Sequence, residues 1–84
     1  MRILVVEDEA KVASFIARSL GEVGYVVDVS HQGPKALEQA LSNDYDLIVL
    51  DVMLPGIDGW EVLARYREGG GNSPVMMLTA RDGV

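Results

Sequence analysis

The chain alternates short apolar runs with longer stretches of mixed character. Four runs have strand length and, in the main, β-branched or bulky apolar content: Ile3 to Val6, Tyr25 to Val29, Leu47 to Leu50 and Val75 to Leu78. The first, third and fourth do not alternate apolar with polar positions, the pattern of strands covered on both faces of a parallel sheet. The second follows Gly24 and carries Asp28, which predicts an edge strand. The breaker cluster Gly69-Gly70-Gly71-Asn72-Ser73-Pro74 introduces the fourth run.

Between the runs lie helical periodicities. Val12, Phe15, Ile16, Ser19 and Leu20 form one stripe, with Lys11 and Arg18 on the remaining surface. Pro34 fits a helix first turn, after which Leu37 and Leu41 continue one face beside Ala36 and Ala40. Asp58 followed by Glu61 predicts an N-cap and its capping-box partner, opening a helix with Trp60, Leu63 and Tyr66. Trp60 and Tyr66 read as packing residues, Met76 and Met77 as gap fillers, and His31 as a surface residue beside a turn. The predicted order is β-α-β-α-β-α-β with right-handed crossovers. Residues after Thr79 read as the start of a further helix.

Composition narrows the field only a little. An 84-residue chain is one small domain, and at that size only about 60–65% of the unfolded surface is buried. No apolar run is long enough to span a bilayer and the N-terminus lacks a signal-peptide layout, so a cytoplasmic protein without membrane contact is expected. The absence of cysteine excludes disulfides and thiolate metal sites. Seven basic against 13 acidic residues give a net charge of −6, which would repel nucleic acid and assigns any DNA contact to another domain.

The chemistry is concentrated at strand ends. Glu7 and Asp8 follow the first strand, Asp51 ends the third and Thr79 ends the fourth. In open parallel α/β sheets that edge is where ligands bind. Each residue alone has an ordinary reading: Asp8 or Glu9 as a helix cap, Asp51 as a loop aspartate, Thr79 as a strand former. Together they are harder to explain structurally. Three neighbouring carboxylates repel unless a cation intervenes, and a hard divalent ion such as Mg²⁺ suits oxygen ligands. Asp51 is then a candidate nucleophile toward phosphorus, giving an aspartyl phosphate, with Thr79 as hydrogen-bond donor to the phosphoryl oxygens. The turn Leu54-Pro55-Gly56 shapes the loop beside Asp51, with Gly56 able to take positive φ and the Met53 carbonyl able to face the ion.

Three segments, Ile3-Leu-Val-Val-Glu-Asp-Glu, Asp46-Leu-Ile-Val-Leu-Asp-Val-Met-Leu-Pro-Gly-Ile-Asp-Gly and Pro74-Val-Met-Met-Leu-Thr-Ala, together resemble the receiver domain of bacterial two-component response regulators. The wording is most similar to the OmpR-type winged-helix regulators, including those that answer copper and other heavy metals. The resemblance implies a flavodoxin-like (CheY-like) doubly wound parallel sheet of strand order 2-1-3-4. It also implies phosphoryl transfer from a sensor histidine kinase to Asp51, controlling transcription through a DNA-binding domain, with the receiver as a regulatory module and not an enzyme. By position, Asp8 matches the direct Mg²⁺ ligand, Glu7 the acid acting through water, and Met53 the backbone-carbonyl ligand. Asp51 matches the phosphoacceptor, Thr79 the switch hydroxyl and Ala80 the small residue beside it.

Receivers of this family carry five strand–helix units, so residues 1–84 are expected to be the N-terminal part of one, lacking the fourth helix, fifth strand, fifth helix and effector domain. The lysine that ends the fifth strand has no counterpart, since Lys11 and Lys35 lie in or beside the first two helices. Loss of one such charge-stabilising contact is worth about 2.7–4 kcal/mol of transition-state stabilisation, which predicts slow phosphorylation. An uncovered fourth strand predicts self-association through its edge. The alternative is an assembly or interaction fragment that is not phosphorylated. A phosphatase of the haloacid-dehalogenase kind would want an acid two residues after Asp51, where Met53 stands. A flavin- or nucleotide-binding protein would want a phosphate loop where Glu7-Asp8-Glu9 stands.

Overall fold

The computed structural model describes residues 1–78. Strands β1 (Arg2–Val6), β2 (Val26–Ser30), β3 (Leu47–Asp51) and β4 (Val75–Leu78) alternate with helices α1 (Ala10–Glu22), α2 (Gly33–Ser42) and α3 (Gly59–Glu68). All strand pairs are parallel, in the order β2-β1-β3-β4. This is the doubly wound, flavodoxin-like arrangement that the pattern and the resemblance imply, and each strand lies within one residue of its predicted bounds.

Two apolar layers sandwich the inner strands. Leu4, Val6, Ile48 and Leu50 face α2 and α3, joining Ala36, Ala40, Val62 and Tyr66. Ile3, Val5 and Val49 face the opposite side, where Ile16 and Leu20 of α1 pack. Because β1 and β3 are covered on both faces, an unbroken apolar run is the only pattern that satisfies them. The fourth strand departs from that expectation. It is the outer strand among the described residues, and Met76 is 52% exposed.

The helices meet the sheet through small residues more than the stripes suggested. On α1 the inward positions are Ala13, Ile16, Ala17 and Leu20, and Ala13 is the one fully buried. Val12 and Ser19 are exposed, and Phe15 is 67% exposed. On α2, Ala36 and Ala40 are buried while Leu41 is exposed. Alanine lets a helix axis approach the sheet closely, and the larger side chains flank the line of contact. Pro34 stands in the first turn of α2 as predicted. Asp58 caps α3 by accepting the Glu61 N–H at 2.9 Å, while the Glu61 carboxylate pairs forward with Arg65 at 2.8 Å. Tyr66 is buried as expected, but Trp60 is 55% exposed and takes no part in the core.

The end of the sheet remote from the carboxyl edge is tied by polar contacts. Tyr45 donates to Asp28 Oδ2 at 2.7 Å, and Arg2 reaches the same oxygen at 3.0 Å while stacking over the Tyr45 ring. The Tyr45 hydroxyl, together with Arg2, holds the Asp28 carboxyl below the usual range despite partial burial. Burial and the adjacent Asp28 acceptor push the Tyr45 phenol up.

Candidate functional site

Glu7, Asp8 and Asp51 come together at the carboxyl edge, on adjacent inner strands. β1 ends at Val6 and β3 at Asp51, and the register pairs Val6 with Leu50. One carboxylate oxygen from each of Glu7, Asp8 and Asp51 lies within 4.8 Å of the others. Parallel pairing causes this juxtaposition: two strands in one direction, each followed by an acid, deliver those acids to the same edge.

The members differ in environment. Glu7 is 5% exposed and Asp51 4% exposed, whereas Asp8 is open to solvent. Asp51 Oδ1 accepts the Met53 N–H at 3.0 Å, which aims the carboxylate from within its own loop. Glu7 Oε2 accepts the Glu9 N–H at 3.1 Å. That bond favours the charged form of Glu7, but it does not prevail. Burial first, then repulsion and proton sharing with Asp51 and repulsion from Asp8, raise Glu7 from 4.5 to about 7. A cluster that cannot hold its full negative charge in the open suits a divalent cation with oxygen ligands, since such an ion removes the repulsion that raises Glu7. The donor set therefore fits a hard cation.

The loop after Asp51 is shaped by two glycines. Gly56 adopts φ +83°, the left-handed region expected for the Pro55-Gly56 turn. Gly59, the first residue of α3, donates its N–H to the Val52 carbonyl at 2.9 Å. A Cβ there would run into the Asp51 carbonyl oxygen and come within 2.9 Å of Val52 Cα. The start of α3 thus lies directly on the backbone of Asp51 and Val52, which only glycine permits.

Not every expected site residue is brought into view. Thr79 and Ala80 lie outside the described residues. Met53 has an exposed side chain and engages Asp51 through its N–H. Two contributors escaped the sequence reading. Gly59 was hidden because a close backbone approach leaves no composition signal. His31, read as a surface residue, does sit exposed, yet its ring contacts the Glu7 backbone at 2.9 Å.

A doubly wound parallel sheet with three acids gathered at the carboxyl ends of its two central strands defines the class of receiver-type signalling modules. The sequence matches the response regulator receiver domain over residues 3–84, and the chain belongs to that family. It is 51% identical over 84 residues to the transcriptional activator protein IrlR of Burkholderia pseudomallei, covering all of this chain and 36% of that protein. The chain thus spans about a third of the length of such curated relatives. Among solved structures it resembles the response regulator TrrA of Thermotoga maritima in complex with Mg²⁺–BeF. The TM-score there is 0.90 at 38% identity, over 96% of this chain and 70% of that one. It also resembles one chain of the solved complex of the histidine kinase ThkA with TrrA, with a TM-score of 0.86 at 39% identity, over 94% of this chain and 68% of that one.

Proposed function

We propose that this chain is the phosphoacceptor part of a transcriptional response regulator, receiving a phosphoryl group on Asp51 from a sensor histidine kinase. The observation that carries the reading is the convergence of Glu7, Asp8 and Asp51 within 4.8 Å at the carboxyl edge. Support also comes from relatives named as transcriptional regulators and from a TrrA structure solved with a histidine kinase.

In this reading Asp8, Asp51 and the Met53 carbonyl would hold Mg²⁺, with Glu7 as a neighbouring acid that would act through water. When bound, the ion supplies positive charge that offsets the carboxylates and the transferring phosphoryl oxygens. The chain's own part is positioning. The Met53 N–H holds Asp51 Oδ1, leaving the second oxygen for attack on phosphorus. A bond forms from that oxygen to phosphorus as the phosphorus–nitrogen bond of a phosphohistidine donor breaks, and the imidazole leaves with the bonding pair. Thr79 donates a hydrogen bond to the phosphoryl oxygens. Control of transcription belongs to a DNA-binding domain outside these 84 residues.

Incubation with acetyl phosphate and Mg²⁺ should add the mass of one phosphoryl group, and Asp51→Asn should abolish the addition. The reaction should be slow, because among the described residues neither lysine of the chain, Lys11 or Lys35, is ion-paired with Glu7, Asp8 or Asp51. Intact-mass spectrometry decides both points, and modification of the Asp51→Asn chain would reject Asp51 as the acceptor.

A self-associating state is part of the same proposal. β4 is the outer described strand and Met76 is half exposed, so its backbone edge offers a pairing surface to a second copy. Light scattering at micromolar concentration should give a mass above that of one chain, and a dispersed monomer would remove this part.

A further inference from the structure

We infer that His31 is a positioning residue for the cation site, holding the Glu7–Asp8 peptide in the orientation that presents Asp8. The inference rests on the reading of Glu7, Asp8 and Asp51 as a Mg²⁺ site. Its starting point is a gap in the β-ladder.

β1 and β2 pair in parallel with Val6 opposite Ser30, and the bonding extends one residue further, the Glu7 N–H donating to the Ser30 carbonyl at 3.0 Å. In a parallel ladder a residue that donates in this way accepts in turn from the residue two further along the partner strand. For the Glu7 carbonyl that donor would be the Gln32 N–H. The chain leaves the sheet first. Gln32 is the N-cap of α2, which begins at Gly33, so the ladder ends one bond short. The His31 ring fills that place, its Nδ1 lying 2.9 Å from the Glu7 carbonyl oxygen. A carbonyl only accepts, so Nδ1 carries the proton.

This matters because the Glu7 carbonyl belongs to the peptide that leads into Asp8. With the Glu7 N–H fixed by Ser30, its side chain fixed by the Glu9 N–H and its carbonyl fixed by His31, Glu7 is held at three points. Asp8 is different. It is exposed, and among the described residues its carboxylate makes no hydrogen bond. The orientation of the preceding peptide is therefore its main constraint. Groups that orient metal ligands are commonly worth about 10–100-fold in metal affinity, and one acting through a peptide belongs near the lower end of that range.

The test uses the 84-residue chain, its His31→Ala variant and its His31→Asn variant, whose side-chain amide N–H can occupy the Nδ1 position. MgCl₂ is titrated against the amide resonances of Glu9 and Met53. His31→Ala should weaken Mg²⁺ about tenfold, and His31→Asn should recover most of the loss. Nitrogen-15 spectra of the metal-free chain should show the Nδ1–H tautomer. Equal Mg²⁺ affinity in the wild-type and His31→Ala chains, an Nε2–H tautomer, or a loss that asparagine does not restore would overturn the inference while leaving the Mg²⁺ site intact. Failure of the wild-type chain to bind Mg²⁺ would remove both together.

Discussion

In metal-free buffer, Glu7→Gln should stabilise the chain by about 3 kcal/mol near pH 8 and by almost nothing near pH 4.5, the ordinary value for this carboxyl. Glu7 is raised to about 7 in the folded chain, chiefly by burial and then by Asp51 and Asp8. A raised group contributes stability that is fully present below its unfolded value and is lost as pH rises through its folded one. For Glu7 that window runs from 4.5 to about 7. Glutamine keeps an oxygen for the Glu9 N–H but carries no charge, so the variant does not share the loss. Comparing the two chains isolates Glu7 from Asp28, whose lowered value acts in the opposite sense: its contribution holds at neutral pH and fades on acidification.

The same experiment has a metal arm. Mg²⁺ should narrow the gap by stabilising the wild-type chain more, since a ligand stabilises the state that binds it according to concentration over Kd. Urea midpoints across the pH range, with and without Mg²⁺, measure all of this. A difference between the two chains that does not vary with pH would show that Glu7 is not the group in question.

The second large effect concerns packing. Tyr66→Ala should lower stability by about 3–5 kcal/mol, the range for truncating a large buried aromatic residue. That is a third or more of what a chain this size usually has, and the melting temperature should drop by about 15 °C or more. Tyr66 packs among Leu4, Ile48 and Val62, and its hydroxyl accepts the buried Ser73 N–H at 3.1 Å. Its ring also lies against Gly71 so closely that any side chain there would collide with it. Alanine removes the filling and orphans an N–H at once. Tyr66→Phe keeps the ring and should lose only about 1–3 kcal/mol, the penalty for one buried unsatisfied donor. Thermal melts of the two variants separate packing from hydrogen bonding, and similar losses for both would show that the hydroxyl carries the effect.

Much of the fold was readable because parallel sheets impose a simple rule. Buried inner strands must be apolar throughout, and Ile3 to Val6 and Leu47 to Leu50 obey it. The breaks between elements carry local chemistry, such as Pro34 in a first turn and Asp58 at a cap, that needs no tertiary information. The acidic site was readable for a related reason: parallel strands deliver their terminal residues to one edge, so Glu7, Asp8 and Asp51 converge once the strands are assigned.

Helix facing was less legible. Phe15 and Trp60 were assigned to packing faces because they are large and apolar, but periodicity shows only that a stripe exists. Which residue of the stripe touches the sheet depends on approach distance, and that is set here by Ala13, Ala36 and Ala40. Met76 failed for a different reason, since among the described residues β4 has a strand neighbour on one side only, although its composition is that of an inner strand. The contact of His31 with Glu7 depends on where the β1–β2 ladder stops, a matter of register that a run of apolar residues does not encode.

Gly59 has one further consequence. With α3 seated on the peptide that joins Asp51 to Val52, the strand end and the helix behave as one lever, whose fulcrum is that contact. The helix is ten residues long, a span of about 15 Å, and its far turn carries Tyr66, which grips Gly71 and Ser73 before β4 begins. Any rearrangement that shifts the Asp51 backbone must either tilt this helix or break its seating. A change at the acidic edge is in this way mechanically joined to the glycine loop at the opposite pole of the sheet.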